Sequence, residues 1–291
     1  MSETLTPSPA PRSAPGPPRS AAGFANVRLF VAGQALSGVG TFSQLVAQSL
    51  LVLDLSDSGF ALGATMSVQA IPMLALGPWA GVLLDRLPLR RLMLVTAVLG
   101  ALQAAALALL AFTGLVSLPW ILALALALGC VQAFDRPAAQ AFLVELVPDT
   151  ALPSAVALSS TTQSLGRLGG PALAAVLYAW RGPGTVFAVN ALSFLAVVVA
   201  LLLLRSRELF PRAPQPIKPG QFKAALHLAW RSPALRPALL ANAFVGLFAF
   251  NFPTFFSTIA TLTFQQPALF GFAESITRSR ASRPGCSWRA R

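Results

Sequence analysis

The chain has 291 residues, of which 55 % are hydrophobic and 10 % are charged, and its formal net charge is +12. A composition this apolar excludes an ordinary soluble globular domain and is typical of a membrane protein with several transmembrane helices. The Lys and Arg residues cluster between apolar runs, so we interpret them as topology signals facing anionic lipid, and we expect no nucleic-acid binding.

The chain begins with residues 1–24, which are rich in Pro, Ser and Ala and cannot bury a core. We expect them to form a disordered tail on the cytoplasmic side. They lack the basic start, the apolar run and the small-residue cleavage site of a signal peptide. The first transmembrane helix must therefore act as its own insertion signal.

Helix 1 is predicted over residues 27–53. Polar side chains recur along it every three or four positions and therefore share one helical face: Gln34, Ser37, Thr41, Gln44 and Gln48. Such a stripe is costly in lipid, so it must face protein or water. It predicts either interhelical hydrogen bonds or the wall of a water-filled cavity.

Helix 2, predicted over residues 60–84, leads into a short charged loop, GVLLDRLPLRR, between two long apolar runs. The glycine lets two helices approach closely, and the Asp-Arg pair can cap a helix end or pair with neighbours. The final Arg pair marks the cytoplasmic side by the positive-inside rule. The residues concerned are Gly81, Asp85, Arg86, Arg90 and Arg91. Taken alone, a basic loop of this kind is more often a topology signal than a functional element.

Helix 3 is predicted over residues 91–112, and helix 4 begins near residue 120. Asp135 falls about 24 Å into helix 4 at 1.5 Å per residue, in the inner half of the membrane. A carboxylate at that depth is costly unless it is paired or lines a cavity. Asp135 is therefore the best candidate for a proton-coupled carboxylate, and a structural salt bridge is an equally supported alternative.

Helix 5 is predicted from residue 153 to about residue 180, with Arg167 near its middle. Its small residues form a seam suited to close helix packing: Gly166, Gly170, Pro171, Ala174 and Ala175. Helix 6, predicted over residues 185–204, completes a six-helix unit that spans residues 25–204.

A basic cytoplasmic linker over residues 205–236 and a seventh transmembrane helix over residues 237–264 are predicted next. Basic residues concentrate in the N-terminus, the loop after helix 2 and this linker, which places the N-terminus in the cytoplasm. Residues 265–291 conflict with that rule, because they are Arg-rich and follow a helix that should end outside. We expect an aberrant tail on a C-terminally truncated or frameshifted product, an incomplete form that would be inactive in transport. A genuine short chain would instead have to self-associate.

The charged loop resembles the loop between the second and third helices of the major facilitator superfamily (MFS), whose usual form is Gly-x-x-x-Asp-Arg-x-Gly-Arg-Arg. Here Pro88 stands in place of the second Gly, Leu89 in place of the first Arg, and the Arg pair comes one position late. The segment FDRPAAQAFLVELV resembles the drug and siderophore exporter branch, which includes the enterobactin exporter. Ala139 replaces the usual Arg of that segment. GQALSGVG in helix 1 is similar to the same branch, and the helix 5 seam partly matches the antiporter Gly-Pro motif.

This resemblance implies an all-α polytopic membrane protein, with an MFS-type N-terminal six-helix bundle plus a seventh transmembrane helix. Substrate would bind between two halves that rock against each other. The charged loop would form the gate: Gly81, Asp85, Arg86, Arg90 and Arg91. The cavity and the proton coupling would use Gln34, Gln44, Asp135 and Arg167. The seam of Gly166, Gly170 and Pro171 would tune the packing that separates the two states.

The implied function is proton-driven efflux of an amphipathic small molecule, a drug or siderophore, across a bacterial inner membrane. The proton gradient would supply the energy, so no cofactor and no metal are expected. A polytopic scaffold or a membrane enzyme is the alternative. Against an enzyme, the sequence has no Gly-x-Ser-x-Gly, His-Glu-x-x-His or clustered Asp motif, and catalysis would have to rest on Asp135 alone. The polar stripes of helices 1 and 5 favour a cavity over a scaffold.

Overall fold

The computed structural model of the chain describes residues 20–84, 87–205, 208–210, 230–232, 236–237 and 240–241. Within these residues it contains six α-helices: α1 Ala25–Ser56, α2 Gly59–Leu84, α3 Leu89–Thr113, α4 Leu118–Glu145, α5 Leu152–Arg181 and α6 Pro183–Leu203. Short 3-10 turns precede α1 and α5, at Ala21–Gly23 and Asp149–Ala151. The described part of the chain has no strand, so the all-α prediction is confirmed.

Several predicted segments lie outside the described residues. These are most of the N-terminal tail, Asp85 and Arg86 of the charged loop, and, apart from isolated positions, the linker, the seventh helix and the Arg-rich tail. The predictions for these segments remain predictions.

The helices begin and end where the sequence supplies the appropriate residues. Proline occupies one of the first two positions of α4, α5 and α6. A backbone N–H at these positions has no partner within the helix, so proline loses no hydrogen bond there. Gly114 follows α3 with φ of 71°, a left-handed conformation that ends a helix at little cost for glycine. Asp57 ends α1 in the same left-handed region, with φ of 47°.

Five of these helices contain a stretch long and apolar enough to cross a membrane: α1, the first part of α2, α3, α4 and α6. The shortest of them, α6, has 21 residues and is about 31 Å long at 1.5 Å per residue. The 30-residue α5 is long enough, but it carries an exposed row of Ser, Thr and Gln side chains that lowers its mean hydropathy.

The packing order around the bundle is α5, α1, α6, α3, α4 and α2. Each helix in this order packs extensively on the next, whereas α1 and α4 touch each other at few points. The gap between α1 and α4 therefore lies inside the bundle, with α2 and α5 at its two sides.

Two apolar cores occupy opposite ends of the bundle. One contains Phe30, Met93, Phe142 and Leu201. The other contains Leu50, Leu107, Ile121 and Phe187. Polar side chains such as Gln44, Gln103 and Asn190 are buried between the two cores, where an unmade hydrogen bond is costly.

Candidate functional site in the bundle

A polar cleft lies where α1, α2 and α4 meet. Its lining residues are Thr41, Phe42, Gln44, Leu45, Gln48, Gln69, Leu128, Gln132 and Arg136. Most of these side chains are polar, although the helices that carry them are predominantly apolar. Polar groups concentrated inside such a bundle mark a cavity that faces water or a ligand.

Gln48 is the most unusual residue of the cleft. Its side chain is 3 % exposed, and its carbonyl oxygen Oε1 has no hydrogen-bond partner among the described residues. A buried acceptor left unpaired costs about 1–3 kcal/mol. Gln48 therefore offers the cleft a strong acceptor for a hydroxyl, amide or other donor.

Gln44 borders the cleft, but its amide group is engaged elsewhere. Its Nε2 donates to Oε1 of Gln103 on α3 at 3.1 Å, and its Oε1 accepts from Nδ2 of Asn190 on α6 at 2.7 Å. Gln103 in turn donates to the carbonyl of Leu124 on α4 at 3.1 Å. This buried network ties α1, α3, α4 and α6 together between the two apolar cores.

Asp135 faces α3. Its Oδ1 accepts a hydrogen bond from the Thr96 hydroxyl at 2.7 Å, and neither residue is among those that line the cleft. The adjacent Arg136 does line the cleft, and its Nη2 donates to Oε1 of Gln132, one turn earlier in α4, at 3.2 Å. The Asp-Arg dipeptide thus directs its negative charge toward a neighbouring helix and its positive charge into the cleft.

Arg167 approaches the cleft from α5. Its guanidinium carbon lies 5.9 Å from the centroid of the Phe42 ring, within the range of a cation–π contact. It is also close enough to interact electrostatically with Arg136. Gln34 is half-buried on α1, about 10 Å before Thr41 along the helix axis, and it does not line the cleft. Of the four residues proposed for the cavity, Gln44 and Arg167 therefore lie at or beside the cleft.

The seam of small residues on α5 packs against α1. A Cβ on Gly166 would stand 3.0 Å from the carbonyl carbon of Gly38, and one on Gly170 would stand 3.0 Å from the amide nitrogen of Ser43. The Ser43 hydroxyl donates to the carbonyl of Gly170 at 2.8 Å. Pro171, next along the seam, is buried. Only glycine permits this approach of the two backbones, and the effect of the seam on transport states remains a prediction.

The charged loop is partly described. Arg90 reaches across to the end of α6, where its Nε donates to the carbonyl of Leu201 at 2.9 Å and its Nη2 to that of Leu202 at 3.2 Å. A cation at a helix C-terminus is favourable because it complements the helix dipole. Arg91 is exposed, and no described atom lies within 4 Å of the position that a Cβ on Gly81 would take.

Sequence reasoning missed several of these partners. Thr96, Gln103 and Asn190 were not selected, although an isolated polar residue in an apolar helix is itself a signal of buried hydrogen bonding. At the opposite end of the bundle from Arg90, the Tyr178 hydroxyl donates to Oδ2 of Asp54 at 2.5 Å, which joins α5 to α1. Gln48 belonged to the predicted stripe but was not among the selected cavity residues.

The profile of a family described as transmembrane secretion effector matches residues 19–272. The chain belongs to this family of MFS transporters. The family assignment made from the charged loop and the helix 4 segment is thereby confirmed. With its candidate spans, the chain is a multi-pass membrane protein.

Several bacterial proteins are similar to this chain. It is 28 % identical to the uncharacterised MFS-type transporter YfiS of Bacillus subtilis over 221 residues, which are 74 % of this chain and 52 % of YfiS. It is 26 % identical to macrolide efflux protein A of Streptococcus pyogenes over 183 residues, 62 % of this chain and 45 % of that protein. The staphyloferrin A transporter of Staphylococcus aureus is 27 % identical over 178 residues, 60 % of this chain and 45 % of that protein. The chain spans about half the length of these relatives.

Among solved structures, the POT family transporter PepTSo has a similar fold. The TM-score is 0.60 at 15 % sequence identity, and the match covers 93 % of this chain and 56 % of PepTSo. At this low sequence identity, the match is evidence for the fold alone. The predicted MFS-type bundle is confirmed, and the matched proteins are transporters rather than enzymes.

Proposed function

We propose that this chain transports an amphipathic small molecule out of the cytoplasm by alternating access. The observation that carries the proposal is the polar cleft between α1, α2 and α4, with a positive charge at Arg136 and an unpaired acceptor at Gln48, inside a bundle of an exporter family. Efflux and siderophore transport are named for the relatives from Streptococcus pyogenes and Staphylococcus aureus, which supports export.

Alternating access needs a second helical unit that faces the cleft. The described bundle offers α2 and α5 for that contact, because they stand at the two sides of the gap between α1 and α4. Both carry large exposed apolar side chains, such as Leu74 at 80 % and Leu165 at 58 %. Surface of this kind is covered by protein or lipid in a membrane.

Energy coupling to protons is the second part of the proposal. Asp135 directly precedes Arg136, which lines the cleft. Its hydrogen bond to Thr96 joins α3 to α4. Proton binding at Asp135 would weaken this hydrogen bond, because the charged carboxylate is the stronger acceptor, and proton release would strengthen it. The packing of the two helices would thereby depend on the protonation of Asp135. The proton gradient of a bacterial inner membrane would then drive export, with the N-terminus of the chain on the cytoplasmic side.

The alternative is a membrane protein that does not transport. One observation favours it: the amide of Gln44 is fully used by Gln103 and Asn190, so part of the polar stripe on α1 serves helix packing. Gln48 and Arg136 distinguish the two functions, because neither is needed for that network.

Export is tested in bacteria that lack their major efflux pumps. Cells expressing the full chain are compared with empty-vector cells for accumulation of anionic, neutral and cationic amphipathic dyes. We expect lower accumulation of at least one dye, and we expect a protonophore to abolish the difference. Equal accumulation of all dyes in cells whose membranes contain the folded protein would contradict the transport proposal.

A further inference from the structure

We propose that the cleft binds an anionic group of the substrate, a carboxylate or a phosphate, with a hydrogen-bond donor close to the anion. This inference rests on the proposed transport function and names the chemical class of its substrate. The residues that would recognise this group are Arg136 and Gln48, both of which line the cleft.

The charge of the cleft favours an anion. Its lining includes Arg136 and contains no Asp or Glu, and Arg167 approaches from α5 closely enough for the two guanidinium groups to repel each other. A bound anion beside Arg136 relieves this repulsion between like charges.

Asp135 attracts Arg136 electrostatically, but the two side chains form no ion pair within the described residues. Its Oδ1 accepts from Thr96 on α3, and the residue is absent from the lining of the cleft. Arg136 forms no ion pair with a described carboxylate. The ion pair found within the described residues joins Arg205 and Glu208, which are exposed. The positive charge of Arg136 is therefore available to a ligand.

Arg136 is also held in a defined orientation. Its Nη2 donates to Oε1 of Gln132, which is itself a lining residue, at 3.2 Å. A guanidinium group has five N–H donors, so one bond to Gln132 leaves enough donors for a two-point contact with a carboxylate or phosphate. An oriented guanidinium also loses less conformational freedom when the ligand binds.

Gln48 supplies the second element of recognition. Its buried Oε1 has no partner among the described residues and accepts hydrogen bonds only. A substrate that places an N–H or O–H group near its anion would satisfy both Gln48 and Arg136. The side chains of Phe42, Leu45 and Leu128 complete the lining and suit the apolar part of an amphipathic molecule.

The test uses three dansyl probes that share an aromatic group and a sulfonamide N–H. Dansylglycine carries a carboxylate, its methyl ester is neutral, and dansylethylenediamine is a cation. Binding to the purified full chain in uncharged detergent is followed by dansyl fluorescence. We expect dansylglycine to bind about tenfold or more tightly than its ester, since hydrogen bonds to charged groups are the stronger ones, and the cation to bind most weakly.

Variants assign the preference to residues. Arg136→Gln should reduce the preference for dansylglycine over its ester to about one, whereas Arg136→Lys should retain part of it. Gln48→Leu should weaken both of these probes by a similar factor of several-fold, because both carry the sulfonamide N–H. Arg28→Gln, which removes an exposed charge from the start of α1, is the matched control and should leave the preference unchanged.

Each other result overturns the inference. Equal binding of the three probes would remove the charge selectivity, and failure of dansylglycine to bind the folded protein would remove the subsite. A preference that persists in Arg136→Gln would place the anion elsewhere. Displacement of dansylglycine by phosphatidylglycerol micelles, but not by hexanoate, would assign the anion to lipid rather than to substrate.

The outcome is separable from that of the transport proposal. A chain that exports a cationic or neutral dye and shows no preference for dansylglycine would refute the anion subsite and leave transport standing. A chain that binds dansylglycine with the expected preference but exports none of the dyes would refute transport and leave the subsite standing.

Discussion

The hydroxyl of Thr96 donates a 2.7 Å hydrogen bond to the carboxylate of Asp135 and thereby joins α3 to α4. The bond lies within the membrane-spanning part of the bundle, where exchange for a water partner is restricted. A carboxylate that gains or loses a proton there changes the strength of an interhelical contact. This relationship is the physical basis of the proposed proton coupling.

Replacing Asp135 with Asn keeps the acceptor for Thr96 and removes the titratable group. We expect Asp135→Asn to abolish proton-dependent dye export while the protein remains folded, because the amide oxygen still accepts from the hydroxyl. Export is measured with and without a protonophore, and folding by size-exclusion chromatography in detergent. Glu145→Gln, at the end of the same helix, is the control that should retain export. Proton-dependent export at the wild-type level in Asp135→Asn would remove Asp135 from the coupling mechanism.

The amide network around Gln44 should contribute to stability. Gln44→Ala leaves Oε1 of Gln103 and Nδ2 of Asn190 without their partner, and it also removes buried side-chain volume. We expect the free energy of unfolding to fall by about 1–3 kcal/mol, the usual cost of unpaired buried polar groups. Thermal unfolding in detergent measures it. Gln34→Ala, at a half-buried position on the same helix face, should cost less. Equal effects of the two substitutions would show that the network does not stabilise the bundle.

The seam between α1 and α5 provides a pair of neighbouring glycines with opposite expectations. A Cβ on Gly170 would meet the backbone of Ser43 at 3.0 Å, whereas the nearest neighbour of a Cβ on Gly169 is the Val39 side chain at 3.8 Å. Gly170→Ala should therefore destabilise the protein by about 1–3 kcal/mol, as overpacking does. Gly169→Ala should be neutral or stabilising by up to about 1 kcal/mol, because alanine favours the helix. Thermal unfolding measures the stability of the two variants. A Gly169→Ala variant that is as unstable as Gly170→Ala, or less stable, would be inconsistent with this packing.

The helices were accessible to sequence reasoning because long apolar runs are bounded by charge, proline and glycine. Helix 1 was predicted over residues 27–53 and observed at Ala25–Ser56, and helix 6 was predicted over residues 185–204 and observed at Pro183–Leu203. Periodicity also grouped the polar residues of helix 1 on one face, and three of them, Ser37, Gln44 and Gln48, are buried.

Periodicity did not reveal which neighbour each polar residue meets. Gln44 and Gln48 are one turn apart, yet the amide of Gln44 bonds to α3 and α6, while Gln48 lines the cleft with α2 and α4. The reason is that α1 has neighbours on both sides, so that a small rotation about its axis changes the contact. Arg90 donates to backbone carbonyls at the end of α6. Every residue has such a carbonyl, so the sequence alone does not indicate which ones Arg90 contacts, and the contact depends on how helices distant in sequence pack.

If the cleft belongs to a water-filled transport path, its residues must be accessible to water-soluble reagents, and cysteine labelling measures that accessibility. Single cysteines are introduced at Gln132 and at Leu102 in a chain whose two native cysteines are replaced by serine, and membranes are treated with a membrane-impermeant maleimide from each side. Leu102 is the stringent control, because it is 62 % exposed on an apolar helix and we expect it to face lipid. We predict labelling of the cysteine at position 132 and none at position 102. Absence of labelling at position 132 in folded protein, on both sides of the membrane, would contradict a transport path through the cleft.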